Sequence, residues 1–127
     1  MTETFYDKTQ HILFVHHFGA FLPEEVEILE DAMMHITEPV TLVVELSTAK
    51  IVDRSIVTRM ANFSKKHKHL YKHVYLIGMK GFILLMSRLY FQVVGKEGHT
   101  LVEGSLEHFS ESHNIQLPSN FFHTKIS

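Results

Sequence analysis

A carboxylate and a hydroxyl stand two residues apart at Asp53-Arg54-Ser55, where a continuous apolar run gives way to helical spacing. A serine at such a point can accept a phosphoryl group, which adds about −1.5 to −2 charges and three strong acceptor oxygens. The dipole at a helix start favours an anion by roughly 0.3–1 kcal/mol. Phosphorylation of Ser55 would therefore change what the surface repels without unfolding the helix. The plain structural alternative is a cap: the short side chain of Asp53 or Ser55 accepts a hydrogen bond from an unpaired N–H of the first turn.

Other residues are less pointed. Lys65, Lys66, Lys68 and Lys72 lie close together with His67 and His69. Such a cluster can touch phosphate or acidic headgroups, or simply suit the negative end of a helix. The chain holds eleven histidines, which invites a metal hypothesis. His16 and His17 are adjacent on a predicted strand, so their rings point to opposite faces. His69 and His73 straddle a helix end and a strand start. No HExxH or comparable ligand set occurs, and no metal site is expected. GxSxG, Walker A and GxGxxG are all absent, so no catalytic residue and no cofactor are assigned.

These residues need elements to hold them. Thr41–Leu46 (TLVVEL) is nearly all apolar and rich in β-branched residues, as a strand buried on both faces should be. A polar break is expected at Ser47–Lys50, then a helix from Asp53 to about His69, with Ile56, Met60 and Phe63 at helical spacing. Before it come predicted strands at Thr4–Asp7 and Ile12–Phe18, the second broken by Gly19-Ala20. A helix follows from Leu22-Pro23 to about His35–Thr37, with proline and acids at its start. After it come a strand at Val74–Gly78, a helix at Phe82–Val94, a strand at Thr100–Glu103 and a helix at Ser105–His113 capped by Ser105. The order ββαβαβαβα implies an α/β fold: a mainly parallel or mixed sheet of about five strands with about four helices in an open sandwich.

The 127 residues suit one domain, 1–127, with 114–127 an irregular tail. Apolar residues make up 45% and charged residues 20%, a globular balance. A net charge of −2 gives no case for nucleic-acid binding. The absence of cysteine excludes disulfides and Cys-ligated zinc, and fits a reducing cytosol. Glu3 and Asp7 near the start break any signal-peptide pattern. The longest apolar segment, Phe82–Val94, is short for a membrane span and contains Ser87, Arg88 and Gln92. It is also too apolar for a helix with one buried side. Phe82, Leu85, Leu89 and Val93 form a stripe that should face a sheet. Ile83, Leu84, Met86, Tyr90 and Phe91 are left for something else: the tail through Phe121-Phe122, a homodimer, or an apolar ligand or lipid surface.

The element order, the segment LVVELSTAKIVDRSIV and the ending VYLIGMKGFILLMSRLYFQVVGKEGHTLVEGSLEHF carry a resemblance over Gln10–His113. The chain resembles the STAS superfamily, named for sulfate transporters and anti-sigma factor antagonists, and more narrowly its SpoIIAA-like branch. The resemblance implies a cytoplasmic, bacterial-type signalling domain, non-enzymatic, that docks a protein partner of the anti-sigma or kinase kind. Docking would use the turn and helix start Asp53–Val57, with Asp53, Arg54, Ser55 and Ile56 as partner-binding residues and Ser55 as phosphosite. By position Asp53 falls on the family's aspartate and Ser55 on its second hydroxyl. Arg54 stands in place of the first hydroxyl residue and Ile56 in place of the glycine. The runner-up reading is a small apolar-ligand or lipid-surface module built on the Phe82–Val94 helix.

Overall fold

The computed structural model describes residues 1–119 and 121–122. Among them five strands form one sheet: β1 (Thr2–Asp7), β2 (Ile12–Phe21), β3 (Val40–Ile51), β4 (Tyr71–Ile77) and β5 (His99–Val102). The strands lie in chain order, β1 antiparallel to β2 and every later neighbour parallel. Four α-helices accompany them: α1 (Val26–Met33), α2 (Ser55–His67), α3 (Gly81–Val94) and α4 (Leu106–His113). The sheet is therefore mixed and the fold α/β, as the alternation of elements implied.

Alternate residues of the strands point to opposite faces, and the sheet has a core on each. One holds Leu42, Val44 and Leu46 of β3 against Leu29 and Met33 of α1, Ile56 and Phe63 of α2, and Ile83 of α3. The other holds Ile12, Phe14, Val43 and Ile77 against Leu106 and Phe109 of α4 and Phe122. Helices that cross between parallel strands in one rotational sense must cover one face, so α1, α2 and α3 share a side and α4 takes the other.

Two predicted breaks are absent. β2 runs through Gly19-Ala20 and β3 runs through Ser47–Lys50, and these two stretches pair with each other. The register shifts between His16 and Phe18, where Leu46 and Ser47 oppose the single residue His17. This is a bulge, which absorbs an extra polar residue without ending the ladder. A bulge leaves an amide without its ladder partner. The buried carboxylate of Glu45 accepts a hydrogen bond from Ser47 N–H. The end of β4 closes over the same point. Gly78 lies at φ +81°, and a Cβ there would stand 2.7 Å from Ser47 Cβ, so only glycine fits.

The remaining differences are at ends. α1 starts with a short 3-10 turn, Pro23–Glu25, in which Glu25 reaches back to Leu22 N–H. It stops at Met33, short of the predicted 35–37. α2 gives way to a 3-10 turn at Lys68–Leu70, and β4 begins at Tyr71 rather than Val74. Ser105 caps α4 by accepting from His108 N–H at 3.1 Å, as expected. Of the predicted irregular tail, Asn120 and residues 123–127 lie outside the described residues.

Candidate functional site

Because β3 is longer than predicted, the turn after it projects from the sheet edge. Val52 is 65% exposed, and Asp53, Arg54 and Ser55 are exposed beside it. Asp53 does the capping: its Oδ1 accepts from Ser55 N–H at 2.9 Å, and its carbonyl from Ile56 N–H at 3.2 Å. These bonds, the Ser55 backbone first and its hydroxyl next, hold the Asp53 carboxyl below its ordinary pKa. Ser55 is left at the helix start with an accessible side chain. Ile56 is different. It is 2% exposed and belongs to the core under α2, so it cannot be the partner contact that the resemblance suggested. The helix turns it inward one residue after Ser55.

α3 is oriented opposite to the sequence reading. Phe82, Leu85, Leu89 and Val93 were expected against the sheet, yet they are 46%, 50%, 43% and 51% exposed. Ile83 and Met86 are buried instead, with Leu84, Tyr90 and Phe91 half-buried. The set expected as an outer surface is thus the inner side or its flank. Phe121 and Phe122 do not cover α3 either. They pack across the sheet, on Phe5, Phe14 and His16.

Ile83, Met86 and Tyr90 line an apolar cavity of ≈ 120 Å³ between α2, α3 and the sheet, together with Leu42, Val44 and Met60. Ser64, Tyr71 and Val74 line this cavity and also a second, wetter chamber of ≈ 430 Å³. The outer chamber lies between the ends of α2 and α3 and the starts of β4 and β5, with Lys65, Lys68, Lys72, Glu97 and His99 in its wall. A hydroxyl chain marks the boundary. Ser64 Oγ and Tyr90 OH share a short hydrogen bond, and Tyr90 OH stands 3.4 Å from His99 Nε2. Burial pushes the Tyr90 hydroxyl up and the His99 ring down in pKa. The buried Tyr71 hydroxyl has no hydrogen-bond partner among the described residues, and burial raises its pKa.

The chain has structural relatives but no matching family model and no matching curated sequence. A crystallised, uncharacterized DUF3478-family protein from Shewanella loihica PV-4, described as having a SpoIIAA-like fold, superposes with a TM-score of 0.58. It shares 14% identity, over 87% of this chain and 91% of that one. The chain has a SpoIIAA-like fold. The observed sheet order, with three helices on one side and α4 on the other, puts the starts of α2 and α3 toward one end of the sheet.

The histidines of β2 serve this SpoIIAA-like core. His16 and His17 do point to opposite faces, and both are fully buried. His17 stacks on Phe21 and bonds to Thr2 Oγ1, which donates to Glu25. Burial first, then the N-terminal ammonium and His16, push its pKa down to about 3, so the ring is neutral. Its Nδ1–H donates to the threonine. Glu45 lies beside His16 on the opposite face. Burial raises the Glu45 pKa, with Ser47 bonds and Lys80 opposing and Glu107 reinforcing the shift. Sequence reading missed this residue, although a lone acid inside VVEL was the signal. No helix among the described residues is long and apolar enough to cross a membrane.

Proposed function

We propose that this SpoIIAA-like chain is a non-enzymatic regulatory module that docks a protein partner on the exposed start of α2 and the outer side of α3. The observation that carries this reading is the run of four exposed residues, 52–55, one of them a 65%-exposed valine, projecting beyond the sheet. β3 and β4 are parallel and each feeds its helix. The starts of α2 and α3 therefore lie toward the same end of the sheet, and the apolar stripe of α3 begins at Phe82 and Leu85. Lys50, Arg54, Arg59 and Lys80 are exposed on these segments, as is Asp53. The partner surface is accordingly apolar with an acidic rim. Ile56 replaces the family's glycine and is buried, so contact is made over 52–55. Phosphorylation of Ser55 would set about two negative charges against that acidic rim and release the partner.

The test is photo-cross-linking in the host, with a photoreactive residue at Arg54, at Leu85, or at Glu111 on α4. One shared protein adduct from the first two positions and none from Glu111 supports the reading. Adducts only with a second copy of the chain would replace it with a homodimer, and the same adducts from Glu111 would end it.

A further inference from the structure

Independently of the partner surface, the two chambers between α2 and α3 adjoin, sharing Ser64, Tyr71 and Val74 in their walls. The inner one is apolar, and its volume suits roughly one benzene-sized group. The outer one is more than three times larger and basic. The lysines divide by role. Lys66 and His67 tie α2 to α1, reaching Glu30 at 3.3 and 2.7 Å. Lys65, Lys68 and Lys72 are in no ion pair among the described residues, and all three line the outer chamber, against one acid, Glu97. At the neck sits the unpartnered Tyr71 hydroxyl, and a buried hydroxyl without a bond is unfavourable.

We propose that this pocket binds a small anionic amphiphile. Its head lies among Lys65, Lys68 and Lys72, it accepts a hydrogen bond from Tyr71 OH at the neck, and its tail enters the inner cavity beside Met60, Ile83 and Met86. The negative ends of α2 and α3 point toward the outer chamber, so the lysines must supply the attraction for the head. The tail ends among mostly apolar side chains.

The methionines give a direct readout. Met60, Met79 and Met86 line the inner cavity, whereas Met1, Met33 and Met34 line neither chamber. The full chain with 13C-labelled methionine methyls is titrated with octanoate, octyl phosphate, octanol and inorganic phosphate. Saturable shifts of the three cavity methyls are expected with octanoate or octyl phosphate, and the tighter of the two identifies the head as carboxylate or phosphate. Octanol should bind several-fold more weakly, and inorganic phosphate should leave the cavity methyls unmoved. The exposed pair Lys68→Ala and Lys72→Ala should weaken the anionic amphiphile about tenfold and leave octanol unchanged. The proposal is overturned if neither anionic amphiphile shifts the cavity methyls, if octanol binds as tightly, or if the lysine variant binds them as the natural protein does.

Discussion

α3 presents two apolar sides that look alike in sequence and differ in every physical respect. The outer side, Phe82, Leu85, Leu89 and Val93, is about half exposed. The inner side, Ile83, Met86, Ser87 and Tyr90, faces the sheet and α2 and includes two hydroxyls. Those hydroxyls are satisfied: Ser87 Oγ donates to Leu84 carbonyl at 2.6 Å, and Tyr90 bonds to Ser64. A helix is therefore seated by which side can complete its hydrogen bonds and fill space, not by which side is purely apolar. The more apolar stripe is the one left half exposed.

The sharpest way to break this contrast is truncation. Met86→Ala should cost about 2–5 kcal/mol, because it enlarges an existing cavity. Leu85→Ala should stay within about 0.5 kcal/mol. Denaturant midpoints compare them, and equal losses would erase the distinction. Acid probes the inner face next. His17 takes a proton at about 3 when folded and near 6.5 when unfolded, so the unfolded chain binds more protons between those values. Stability should be complete above about 6.5 and fall progressively toward about 3. His17→Gln should flatten that slope in a pH series of unfolding curves. A smaller effect comes from the hydroxyl pair. Tyr90→Phe strands the Ser64 hydroxyl and should cost about 1 kcal/mol, with Ser64→Ala added to it recovering part of the loss. Ser55→Asp on the open side is also expected to stay within about 1 kcal/mol in thermal unfolding, while abolishing the Arg54 cross-link.

Much of the fold was legible because apolar runs and helical spacings decide element order. VVEL and VYLI read as strands in this pattern, and Pro23 and Ser105 marked helix starts. What failed had local causes. Ser47–Lys50 reads as a break, but the bulge opposite His17 and the Glu45 carboxylate keep it in the ladder. For α3, periodicity gave two adjacent apolar arcs. The choice between them depended on Ser64, Tyr71 and His99, residues distant in sequence. The start of α2 was legible as an exposed cap because Asp53 and Ser55 bond locally. Ile56 was misplaced because its role came from the family position and not from its helical phase. The two-chamber pocket had no linear signature, since its lysines, tyrosines and methionines come together only through packing.

The most direct test of the central claim is the yield of the Arg54 photo-cross-link in a chain carrying Leu85→Glu and Leu89→Glu. If the outer side of α3 is a docking surface, the adduct should disappear while the unfolding midpoint shifts by no more than about 1 kcal/mol. An undiminished adduct would show that the partner does not touch this side of α3.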